Sequence, residues 1–122
     1  MSRKEIALSF LQLAATGRAK EAYDKYAGPG FIHHNPHFDA APKALIDAMD
    51  ANARQFPKKR LEVKLALEEG PLVSVLSHVR HTPDESGFAV VHIFRFDGDR
   101  IAELWDLAQE VPEHSPNANG MF

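Results

Sequence analysis

The apolar residues of this chain change period once, from helical in the first half to alternating in the second. From Ser2 to Ala15, the residues Ile6, Phe10, Leu11, Leu13 and Ala14 fall on one helical face, Ser2 and Glu5 have the spacing of a capping box, and Gly17 ends the helix. A second short helix, Arg18 to Tyr26, sets Ala19, Ala22, Tyr23 and Tyr26 on one side and stops at Gly28, Pro29 and Gly30. Phe31 to Pro42 has no period. Pro36 pushes Asn35 out of the helical region, Pro42 suits the first turn of a helix and Asp39 is placed to cap it, so this stretch is an extended loop of definite shape. A third helix, Lys43 to Arg54, carries Leu45, Ala48, Met49 and Asn52 on one stripe and ends before Pro57.

Beyond Pro57 the pattern is that of strands. Leu61, Val63, Leu65 and Leu67 alternate with polar residues as on a strand with one buried face, and Gly70-Pro71 turns the chain into a second strand, Leu72 to Thr82. Phe88 to Gln109 forms two further strands joined at Asp97, Gly98 and Asp99, where glycine supplies the positive φ of a tight hairpin. The end of the chain, rich in Pro, Asn and Gly, is a loop whose Met121 and Phe122 can tuck back onto the body. Helices first and a strand meander afterwards predict one α+β domain over residues 1–122, with helices on one face of an antiparallel sheet of at least four strands.

Composition narrows the function. The chain has 122 residues and a formal net charge of −3 with both signs interspersed, which gives no electrostatic footprint for nucleic acid or an anionic membrane. No stretch approaches the roughly 20 apolar residues that span a bilayer, and no unbroken apolar leader follows the N-terminus. The absence of cysteine excludes disulfides, thiolate nucleophiles and sulfur-ligated metals and permits a reducing compartment; with neither leader nor span read from the sequence, a soluble cytoplasmic protein is the default expectation. Nucleophile-elbow, phosphate-loop and zinc-protease motifs are all absent.

The chemistry lies in polar residues set into core-like strands: His92, Glu103, Trp105 and Asp106 cost stability there unless they are paired or face a cavity. In the shortest register across residues 83–87, positions whose numbers sum to about 170 face each other, which sets His78 opposite or diagonal to His92. Parity allows either Trp105 or Asp106 to point inward beside His92, but not both unless a bulge intervenes; Asp106 is the choice for chemistry and Trp105 a wall. Asp106 can instead bond Arg80 or Arg95, and His92 can be a satisfied core residue. His33, His37, His81 and His114 face solvent or cap loops on this reading. The His33, His34 and His37 cluster lacks a recognised ligand spacing, so no metal is assigned.

The segments FIHHNP at 31–36, SHV at 77–79, HIFRFDGDRIAELWDLAQEVPE at 92–113 and the tail SPNANGMF together resemble the SnoaL-like branch of the NTF2-like superfamily. The resemblance implies a cystatin-like cone, in which N-terminal helices pack on a curved antiparallel sheet around a pocket. It further implies a polyketide-cyclase type of aldol condensation or an isomerisation, run by a pocket acid/base without metal or organic cofactor. Carried over by position, it makes His34, His78 and Asp106 the catalytic candidates, with Asp106 as base and His78 or His34 as donor. His92, Trp105, Asn35 and Phe94 are the substrate-binding candidates. His92 stands where relatives commonly have Asp, and Leu76 where many have His. The expected ligand is a small hydrophobic carbonyl compound, and the alternative is a non-catalytic ligand-binding or dimeric module of the same fold. Apolar residues on both faces of Phe88 to Phe96 imply a homodimer through the sheet.

Overall fold

The computed structural model describes residues 1–122 and contains three helices and five strands. Helix α1, Arg3–Ala15, begins at the expected capping box, with Ser2 Oγ accepting from Glu5 N and Glu5 Oε1 accepting from Ser2 N. Glu68 adds a carboxylate at the same end, accepting from Lys4 N at 2.8 Å, where a helix N-terminus favours negative charge. Helix α2, Ala19–Tyr26, has no cap of its own; Asp50 of α3, Pro42–Gln55, supplies one by accepting from Ala19 N at 2.8 Å. Pro42 opens α3 as expected, while Asp39 serves the preceding turn by accepting from Ala41 N.

Strand β1, Ala27–His33, is the element that the sequence pattern hides. Its Ala-Gly-Pro-Gly start looks like a helix stop, yet it pairs parallel to β5, Arg100–Glu110, with an irregular register between Ala27 and Ile32. Proline is tolerated because β1 is an edge strand. With β2, Arg60–Glu69, β3, Leu72–Arg80, and β4, Phe88–Asp97, the sheet has five strands in the order β1-β5-β4-β3-β2, antiparallel except at β1. The helices cover one face, where Phe10, Tyr23, Val73, Val75, Phe94, Phe96, Ile101 and Leu104 form the core. No helix is long and apolar enough to cross a membrane.

Two bulges decide which residues meet that core. In β2, Lys64 is an extra residue: Val63 pairs with Ser77 and Leu65 with Leu76. The slip turns Leu65 and Leu67 onto the far face, 61% and 68% exposed, and brings Ala66 against the core in their place. The expected single buried face of this strand is therefore split in two. In β5, Ala102 is the extra residue, with Phe96 opposite Ile101 but Arg95 opposite Glu103. The β4–β5 hairpin closes on Gly98 and Asp99, with positive φ at Gly98 alone, as a two-residue turn led by glycine requires.

Candidate active site

The Ala102 bulge places the carboxylate. Without it His92 would face Trp105; with it His92 faces Asp106, so Asp106 and His92 share the helix-covered face and Trp105 turns outward. His92 Nε2 lies 3.7 Å from Asp106 Oδ1, close enough for charge to be felt and too far for a hydrogen bond. Its Nδ1 is buried without a partner. Burial lowers the pKa of His92, Lys59 adds to that effect and Asp106 opposes it, so the ring is neutral at physiological pH.

The loop after β1 completes the carboxylate's surroundings. His33 is buried and caps the loop, the second of the two roles expected for it: its Nε2 donates to the Asp39 carbonyl at 2.8 Å, which leaves Nδ1 to accept from Asn35 N at 3.1 Å. The imidazole thus clamps the loop in a definite tautomer. Asn35 is then held with Oδ1 accepting from His37 N at 3.0 Å and Nδ2 donating to Asp106 Oδ2 at 3.1 Å. Both bonds require the same orientation of the amide. Neither arginine weighed as a partner for Asp106 reaches it: Arg80 lies beside Glu62, and Arg95 donates to Glu103.

Asp106, His92 and Asn35 face a cavity of about 440 Å³ between the helices and the sheet. Its walls are largely apolar: Leu11, Ala14 and Ala15 from α1, Leu45, Ala48 and Met49 from α3, and Leu61, Val79, Val90 and Ala108 from the sheet. The α3 stripe read from the sequence, Leu45 to Asn52, is a cavity wall. Lys59, which follows α3, also lines the cavity, and its Nζ donates to Asn52 Oδ1 at 2.8 Å. His81 caps its loop, as one of its two expected roles had it, with Nδ1 donating to Glu85 Oε1 at 3.0 Å, and it also lines the cavity. Beneath the site, the Tyr23 hydroxyl is buried and unpartnered, and desolvation, reinforced by the charge of Asp106, holds the phenol protonated well above its ordinary range.

Four of the seven residues singled out from the sequence lie elsewhere. His78 pairs with Ala89, because β3–β4 partners sum to 167 instead of about 170, an odd difference that puts His78 and His92 on opposite faces. It donates to Ser86 O at 2.7 Å and stacks on Phe122, which does tuck back onto the body. His34 is also on the far face, stacked on Trp105 with ring centroids 5.0 Å apart and Nε2 donating to Glu103 at 2.6 Å. Phe94 is sealed in the core next to His92, outside the cavity lining. The structure brings together Asp106, His92 and Asn35 from the sequence reading and adds His33, Lys59, Asn52 and His81. The buried position of His33 was open to parity reasoning, since adjacent residues of a strand must take opposite faces.

Similarity to known proteins agrees with this architecture. A crystal structure of a cystatin-fold protein from Novosphingobium aromaticivorans superposes with a TM-score of 0.69 at 21% identity, covering 88% of this chain and 98% of that one. A protein of Streptomyces galilaeus provisionally named a hydroxylase gives a TM-score of 0.72 at 19% identity, covering 88% of each chain. One from Jannaschia provisionally named a SnoaL-like polyketide cyclase gives 0.69 at 17% identity, over 88% of this chain and 85% of that one. At these identities the likeness establishes the NTF2-like, cystatin-like α+β fold. Among curated proteins, none is significantly similar in sequence. The SnoaL-like domain itself matches residues 7–104, ending two residues before Asp106, and by that match the chain belongs to the SnoaL-like family.

Proposed function

We propose that this protein is a cofactor-independent acid/base enzyme of the aldol-cyclase or isomerase type, acting on a hydrophobic carbonyl compound. One observation carries the reading: the only carboxylate lining a largely apolar cavity, that of Asp106, is oriented by the Asn35 amide and faced by a neutral imidazole. Asp106 is the base that takes a proton from the carbon next to the carbonyl. His92, whose Nε2 lies 3.7 Å from Asp106 Oδ1 and makes no hydrogen bond, is the group that hydrogen-bonds the carbonyl oxygen as enolate character develops. The cyclase name carried by the Jannaschia relative fits this chemistry.

The test needs no knowledge of the natural substrate. A panel of hydrophobic ketones is incubated with the protein in D₂O, and deuterium at the carbon next to the carbonyl is read by mass spectrometry. Catalysed exchange is expected for ketones that fit the cavity, with Asp106→Asn lowering it by roughly 10²- to 10⁴-fold. Binding of the same ketones with no exchange above buffer would make the protein a ligand-binding module instead.

The assembly and setting belong to the same proposal. Leu65, Leu67 and, at 62% exposure, Leu107 form an apolar surface on the far face of the sheet, and a second copy of the chain is its cover. A monomer in sedimentation velocity at micromolar concentration contradicts that. A chain without cysteine suits a reducing compartment, the cytoplasm.

A further inference from the structure

What sets Lys59 apart from the other lysines is its place in a cavity wall, not the lack of a carboxylate alone, which Lys4, Lys25 and Lys58 share on the surface. Lys20, Lys43 and Lys64 each reach a carboxylate, at 2.7, 2.7 and 3.0 Å. Lys59 is the one fixed cation among the residues lining the cavity, and its ammonium makes a single hydrogen bond, to the neutral Oδ1 of Asn52. Asn52 belongs to the cavity wall of α3, so this bond holds Nζ on the cavity side, and two of the three ammonium donors are left without a protein acceptor. The backbone holds the residue as well, with Lys59 N donating to Phe56 O at 3.0 Å. Lys59 is half-buried, so its ammonium is partly withdrawn from water with no carboxylate in bonding range, a cost that a bound anion would offset. Burial pushes the pKa of Lys59 down and the charge of Asp106 pulls it up, which places Nζ within the electrostatic reach of the proposed base.

We infer that Lys59 is a substrate-binding residue that selects hydrophobic molecules carrying an ionised oxygen, a carboxylate or phenolate, in addition to the carbonyl. The anion takes up the two free donors of Nζ, and Asn52 is the positioning residue that aims it. The carbonyl end of this substrate class rests on the acid/base reading of Asp106. The anionic end rests on Lys59 alone.

Binding of two small probes separates the two ends. 2-Naphthoate and its methyl ester share a ring system that fits an apolar cavity and differ by one charge. By isothermal titration at neutral pH, the wild-type protein is expected to bind the acid about 30-fold more tightly than the ester or better, the range for a desolvated, hydrogen-bonded charge pair. Lys59→Met is expected to abolish that preference while leaving ester binding within two-fold, and Lys59→Arg to keep most of it. Lys59→Gln, checked for folding by circular dichroism, replaces the methionine variant if that one does not fold. Asn52→Leu is expected to reduce the preference without abolishing it. Equal binding of acid and ester by the wild-type protein, or an equal loss of both in the Lys59 variants, overturns the inference. Asp106→Asn keeps the fates of the two readings distinct. It removes proton exchange and leaves the acid preference intact or stronger, so a preference without exchange defeats only the base, and exchange without a preference defeats only the anchor.

Discussion

The two faces of β5 carry two polar clusters that are finished in different ways. On the outer face Glu103 accepts from both Arg95 and His34, and His34 stacks flat on Trp105. These hydrogen bonds hold the Glu103 carboxyl below its usual range, the His34 bond contributing most. On the inner face, one residue along, Asp106 is held through one oxygen by Asn35, His92 Nδ1 has no partner and the Tyr23 hydroxyl has none. A polar cluster whose groups are paired among themselves has little to offer a ligand and holds the fold in register. One whose carboxylate and imidazole border a cavity, with Asp106 and His92 Nε2 too far apart to bond each other, has hydrogen bonds to offer whatever enters. The same strand thus supplies structure on one side and chemistry on the other, and one extra residue, Ala102, decides which side chain goes where.

The largest effect is expected from shifting the alternation of β5 by one residue. Insertion of one alanine between Leu104 and Trp105 sets Trp105 opposite His92 and turns Asp106 out of the cavity, because every residue after the insertion moves one place along β4. Exchange should fall to background, and stability in guanidinium should drop by about 3 kcal/mol or more as an indole enters a packed layer and both clusters lose partners. Trp105 is the only tryptophan, so its emission reports the swap directly. Unchanged emission and activity would show that the register of β5 does not set the face.

Next in size is the contrast between the two carboxylates. Asp106→Asn should cost roughly 10²- to 10⁴-fold in exchange while leaving the thermal midpoint nearly unchanged, since Asn retains a hydrogen-bonding oxygen for Asn35. Glu103→Gln should do the reverse, lowering the midpoint and leaving exchange within about two-fold. If both variants act alike, the division between the faces fails.

What the sequence made legible follows the same division. Stripes with a helical period were readable because each depends on residues a few positions apart, and the Leu45, Ala48, Met49 and Asn52 stripe emerged intact as a cavity wall. Asp106 was chosen for chemistry over Trp105, but the reason for its inward position could not be read. A one-residue bulge leaves the local alternation looking regular while reversing every side chain beyond it, and the same limit hid the outward turn of Leu65 and Leu67. His78 was set beside His92 by assuming a register, whereas the observed one is tied by Gly87. That glycine has φ of +75°, and a Cβ on it would run into the Val79 carbonyl oxygen. Strand β1 was hidden because its partner is some 70 residues away and it is rich in residues that usually break structure. Lys59 carries no motif at all; only the folded chain shows that it faces a cavity and lacks a carboxylate.

A smaller effect on stability concerns the neutral imidazole. The pKa of His92 in the folded protein lies below the ordinary 6.5, so in the unfolded chain it protonates first as the pH falls. Its contribution to stability is therefore fully present above about 6.5 and is lost as the pH drops from there toward the folded value, at up to about 1.4 kcal/mol per pH unit. In urea titrations between pH 7 and 5, His92→Gln should flatten that part of the wild-type slope. An equally steep slope in the variant would place the sensitivity in other groups and deprive the inner cluster of its buried neutral ring.

The smallest effect is expected at His34, and it is the sharpest check on the comparison because resemblance to the family made this residue a catalytic candidate. His34→Ala removes one aromatic stack and one of the two bonds to Glu103, both partly open to solvent, and should cost no more than about 1 kcal/mol. Trp105 loses the ring lying parallel to it, so its emission should shift, which confirms that the change was felt locally. Exchange should stay within two-fold, because Asn35 is oriented by His33 and His37 rather than by His34. A ten-fold loss of exchange in a folded variant would mean that the outer cluster communicates with the cavity through Asn35. The site would then have to be drawn across both faces of β5.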